Sequence, residues 1–74
     1  MEEKQLQECI NKTLELLPPA QKAAFILREL EQEPFETISE MLQVSQANVR
    51  VLLHRARLTL MQMIDRYQET GSCC

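Results

Sequence analysis

Phe35-Glu36-Thr37-Ile38-Ser39-Glu40-Met41-Leu42-Gln43-Val44-Ser45-Gln46-Ala47-Asn48-Val49-Arg50-Val51-Leu52-Leu53-His54-Arg55-Ala56-Arg57 is the stretch that decides the fold. Phe35, Ile38, Met41 and Leu42 recur at helical spacing, which predicts a short helix over about 35–42 with these four buried. Glu36 sits in its first turn, where a negative charge suits the helix dipole. Gln43-Val44-Ser45 interrupts the pattern. Ser45 is a good N-cap, because its hydroxyl can accept from an amide of the next turn that has no helical partner. A short amphipathic helix, a three-residue turn and a capped second helix make a helix-turn-helix over about 35–57. Ile38, Leu42, Val44, Val49 and Leu53 are its expected core, and their packing would fix the angle of the second helix.

Downstream, Val49, Leu52, Leu53, Ala56, Leu60, Met63, Ile64 and Tyr67 share about a third of the circumference of one long helix, about 46–68. Gly71 follows its end, where glycine often closes a helix. Residues 70–74 read as a flexible tail, which leaves 1–69 as the folded domain. Upstream, Leu6, Cys9, Ile10, Thr13, Leu14 and Leu17 give one core face to a helix over about 3–16. Pro18-Pro19 stops it, and proline is tolerated in the first turn of the next. That helix should run over about 19–31 with Ala23, Ile26, Leu27 and Leu30 inward and Phe25 half-buried, before the polar break Glu31-Gln32-Glu33-Pro34. The fold class is therefore all-α, a four-helix domain.

At 74 residues the chain makes one domain. It buries only roughly 60% of its unfolded surface, which leaves little room for a deep catalytic pocket. There is no glycine-rich loop, no pair of acids in a cleft and no nucleophile placed beside His54, so no enzyme and no cofactor is expected. His54 is the only histidine, which argues against a metal site. Cys9, Cys73 and Cys74 are odd in number, with two of them vicinal, which is no disulfide framework; free thiols in a reducing compartment are expected. No stretch is apolar for long enough to span a bilayer, and the acidic start is unlike a signal peptide, so a cytoplasmic protein is expected.

The net charge of −3 is unevenly distributed. Residues 1–40 hold nine glutamates against four basic side chains, a balance of −5; residues 41–74 hold four arginines against two acids, a balance of +2. No carboxylate lies between Glu40 and Asp65. A phosphate backbone responds to such a local basic stripe, because salt screens charges beyond about 8–10 Å. Opposite its core face the last helix offers Gln46, Ala47, Arg50, Val51, His54 and Arg57, with Asn48 and Arg55 toward the flank. Gln pairs with adenine and Arg with guanine, and Ala or Val methyls meet a thymine methyl, in a major groove about one helix wide. Together with the capping Ser45 these are the candidate DNA-binding residues. Val51, Leu58 and Met61, beside Ala47, form a second apolar strip and a candidate partner surface.

Leu17-Pro18-Pro19-Ala20-Gln21, then Pro34 to Leu42, Val44-Ser45, Asn48-Val49-Arg50 and Leu53-His54-Arg55-Ala56-Arg57 together resemble region 4 of bacterial sigma-70 family sigma factors, in particular the extracytoplasmic-function group. The resemblance covers roughly residues 10–65. It implies the sigma region 4 (winged-helix-like) DNA-binding fold, reading of double-stranded promoter DNA at the upstream minus-35 element, docking on the β flap of the RNA polymerase core, and control by an anti-sigma factor.

Three departures accompany it. The family's turn usually carries glycine where this chain has Gln43; a left-handed conformation costs a non-glycine residue roughly 1–2 kcal/mol, so an adjusted turn is expected. Val51 and Leu52 stand where a polar residue and then an arginine are common, so one habitual DNA contact is missing. The half of a sigma factor that reads the downstream element is absent, so the chain is either an excised domain or a stand-alone relative. Two other readings compete. One is the output domain of a response regulator, which the proline pair and the Leu-His-Arg-Ala-Arg run weigh against. The other is a helical protein-interaction module that keeps the fold without DNA reading.

Overall fold

The computed structural model describes residues 3–71, with side chains from Gln5 onward. Helix α1 is Glu3–Leu16. Helix α2 opens at Pro19, runs as an α-helix over Pro19–Phe25, and continues without a break into a π-helical turn, Ile26–Leu30. Helix α3 is Phe35–Leu42 and α4 is Gln46–Thr70. No strand occurs among the described residues. At 1.5 Å per residue α4 is about 37 Å long, and it sets the long dimension of a 39 × 18 × 15 Å molecule.

Two apolar clusters share α4 as their floor. In the first, Ala24, Ile38, Val49 and Leu53 are nearly or wholly inaccessible, and Phe25, Leu27, Phe35, Leu42, Val44 and Leu52 pack around them. This joins α2 and α3 to the amino-terminal half of α4. In the second, Cys9, Leu60, Met63 and Tyr67 are buried with Leu6, Ile10, Leu14, Phe25 and Ile64 against them, which lays α1 along the carboxy-terminal half. Phe25 belongs to both clusters. The whole expected core stripe of α4 is buried or half-buried.

Four expectations need correction. The core face of α2 is centred on Ala24, which is fully buried; Ala23, Ile26 and Leu27 are half-buried, and Leu30 is 67% exposed. The cause is the π turn: its extra residue rotates the downstream end of the helix, so a strict 3.6-residue period misplaces Leu30. Met41 is 58% exposed rather than buried, since Ile38 alone fills the centre of the short α3. Cys9 is disulfide-bonded and not a free thiol; an odd cysteine count excludes complete pairing but not one pair. Cys73 and Cys74 lie outside the described residues. Finally, α4 extends through Thr70, and Gly71 closes it at φ 76° with its N–H on the Tyr67 carbonyl, 2.7 Å. Of the expected tail, only residues 72–74 fall beyond this cap, outside the described residues.

Candidate nucleic-acid interface

The turn between α3 and α4 keeps its left-handed geometry without glycine. Gln43 stands at φ 58°, ψ 45°. The expected adjustment is not made, and Ser39 supplies the reason. Its carbonyl accepts from the N–H of Gln43 and from that of Val44, the latter at 3.1 Å. Its hydroxyl donates to the Val44 carbonyl at 2.6 Å. Three hydrogen bonds from one residue offset the left-handed cost of roughly 1–2 kcal/mol. Ser39 was not singled out by the sequence pattern; the available signal was a serine four residues before a non-glycine turn position.

Beyond the turn, Ser45 caps α4 as expected, accepting the Asn48 N–H at 3.1 Å. With Val49, Leu53 and Ala56 buried beneath, the helix presents Gln46, Ala47, Asn48, Arg50, Val51, His54, Arg55 and Arg57, all of them exposed. At 100° per residue they divide into flanks. Ala47, Val51 and His54 point straight away from the core. Gln46, Arg50 and Arg57 lie toward one side, and Asn48 and Arg55 toward the other.

The arginines on the first side are both engaged. The Arg50 Cζ stands 5.4 Å from the centroid of the Phe35 ring, and the Arg28 Cζ stands 4.6 Å from it. Both are within cation–π range. The two guanidiniums are thus within about one Debye length of each other. Phe35, expected in the core, is half-buried because its ring serves these cations. Arg28 also donates from Nη1 to the Glu33 carbonyl, 3.1 Å. Arg57 donates from Nε, at 3.1 Å, and from Nη2 to one oxygen of Glu29. The stretch that holds no carboxylate in sequence therefore receives one from α2 in space. Among the described residues no side chain engages the Arg55 guanidinium. Arg28, Glu29 and Phe35 were not legible as site residues, since their partners lie many positions away. Val51, Leu58 and Met61 are 43%, 46% and 60% exposed, as the apolar strip requires.

A short helix, a locked turn and a capped helix with a basic outer face define a helix-turn-helix DNA-binding domain. The family model for Sigma-70, region 4, matches residues 7–60, most of the chain, and the chain belongs to that family. It is a DNA-binding family and not an enzyme family, and membership implies interaction with DNA and with RNA polymerase. No curated protein matches the chain significantly. Among the described residues no helix is long and apolar enough to cross a membrane.

Proposed function

We propose that this domain, with its helix-turn-helix at about 35–57, reads the upstream minus-35 promoter element for a sigma factor of the extracytoplasmic-function group. In this reading it works in the cytoplasm and docks on the β flap of the RNA polymerase core. The observation that carries the proposal is the Ser45-capped start of α4, with Gln46, Asn48, Arg50, His54 and Arg55 exposed opposite a fully buried Val49 and Leu53. The first turns enter the major groove, where Gln46 and Arg50 reach base edges and Ala47 and Val51 meet thymine methyls. Asn48 and Arg55 reach phosphates from the flank.

The test is binding to a duplex selected from a randomised library, measured against salt. Removing one phosphate-binding cation should lower the slope by about 0.9. Arg55→Ala should show that fall, and Arg50→Ala should also lose preference for the selected duplex. Slopes unchanged in both variants would overturn the reading.

A second reading draws on the overall −3 charge and the exposed Leu58 and Met61. In it the domain is an interaction module, and the strip Val51, Leu58 and Met61 is covered by a protein such as an anti-sigma factor. Purified polymerase core captured without any salt-dependent duplex binding would favour this second reading.

A further inference from the structure

We infer that Arg57 is a positioning residue, whose bond to Glu29 sets the recognition helix at its reading angle, and that it is not itself a phosphate contact. The inference rests on the DNA-reading proposal above and deepens it.

Arg57 has the residue type and the exposure of a phosphate ligand, but its charge is already matched. Two of its donors, Nε and Nη2, converge on one oxygen of Glu29. A phosphate that displaced Glu29 would leave that carboxylate to gather a counterion of its own. The exchange would release no net cation, which is the source of salt-dependent affinity. Position argues the same way. Arg57 lies about 16 Å along the axis from Gln46, past the amino-terminal turns that contact base edges in helix-turn-helix complexes.

Glu29 owes its place to the π turn Ile26–Leu30, closed by the Glu31 N–H on the Ile26 carbonyl at 3.1 Å. Wide turns of this kind recur at functional sites. Here the turn carries two neighbouring side chains that reach different helices. Arg28 holds the start of α3 through the Glu33 carbonyl and the Phe35 ring. Glu29 holds α4 through Arg57. One turn of α2 thus fixes both members of the helix-turn-helix, and Phe35 passes the constraint on to Arg50. Stability does not account for the pair. Its side chains are 52% and 38% exposed, and pairs so open to solvent contribute little to folding. Orientation is the property such a contact governs.

The decisive comparison removes Arg57 where no unpaired acid is left behind. Salt-dependent binding is measured for Glu29→Gln and for Glu29→Gln with Arg57→Ala, on the selected duplex and on an unrelated duplex of equal length. The expected result is the same salt slope for both, with preference for the selected duplex several-fold below the native protein in both. A slope lower by about 0.9 in the double variant would make Arg57 a phosphate contact and overturn the inference. So would undiminished preference in both. The exchange Glu29→Arg with Arg57→Glu gives a second readout. It should restore preference well above that of Arg57→Glu alone, and no recovery overturns the inference. Arg55→Ala separates the two levels of argument. If it lowers the slope while the Arg57 results go the wrong way, only the positioning role falls. If no variant shows salt-dependent duplex binding, DNA reading falls and the positioning role with it.

Discussion

The two breaks that bracket α3 share one plan and are finished differently. Each places a glutamine in the left-handed region, Gln32 at φ 57° and Gln43 at φ 58°. In each, the side chain four residues earlier donates to the carbonyl just after the glutamine: Arg28 to Glu33 at 3.1 Å, and Ser39 to Val44 at 2.6 Å. The second break ends a regular α-helix with a short hydroxyl and leads directly to the Ser45 cap. The first ends a π turn, with the Glu33 N–H reaching back to the Leu27 carbonyl at 2.9 Å, and it uses a long side chain that also meets Phe35. A short donor locks a turn from within. A long donor ties its turn to the rest of the site. The helix-turn-helix angle therefore has one local determinant, at Ser39, and one distributed determinant, at the end of α2.

The harshest way to break this comparison is to remove what both turns serve. Ile38 is the one buried residue of α3 and has no exposed surface. Ile38→Ala should cost on the order of 2–4 kcal/mol, and Leu53→Ala a similar amount. In a domain of marginal stability that approaches unfolding. Urea titration monitored by circular dichroism measures it. A midpoint that hardly moves would show that the turns, and not the core, hold α3.

Ser39→Ala comes next. It removes one hydrogen bond and leaves the Val44 carbonyl short of a partner, a loss of about 1–2 kcal/mol. Arg28→Met keeps most of the stem against Phe35 and loses a bond in a more open setting. It should cost under about 1 kcal/mol in stability, but more than Ser39→Ala in preference for the selected duplex. If Arg28→Met proves the more destabilising change, the division into local and distributed determinants is reversed.

The local determinant was the easier one to read. Ser45, the proline pair at 18–19, Pro34 and Gly71 act within a few residues of themselves, so they mark helix ends from sequence alone. The inward stripe of α4 was legible for the same reason: twenty-five residues of one period leave little ambiguity. The π turn carries no composition signal, and by adding a residue it moved the core face of α2 from Ala23 and Leu30 to Ala24. Within the site, the exposed face from Gln46 to Arg57 followed from helical spacing. What engages Arg57 did not, because Glu29 lies 28 positions away on a different helix. Local chemistry is written in sequence, whereas long-range ion pairs are fixed only once packing has set the helices.

The smallest effects come from the glutamines themselves. Gln43→Gly relieves a left-handed cost of roughly 1–2 kcal/mol and adds unfolded-state entropy of roughly 0.5–1 kcal/mol. A net stabilisation of up to about 1 kcal/mol is expected, and Gln32→Gly should give the same. The sites are separated by α3, about 12 Å along its axis. If the turns are independent, the double substitution should add the two gains to within about 0.5 kcal/mol. Their consequences for DNA should differ. The bonds of Ser39 continue to lock the turn after Gln43→Gly, so preference for the selected duplex should hold. Gln32→Gly loosens the turn that carries Arg28 and Glu29, so the domain should gain stability while preference falls. Equal DNA preference in the two variants would count against a coupled α2 end. Gains that fail to add would show that α3 carries strain from one turn to the other.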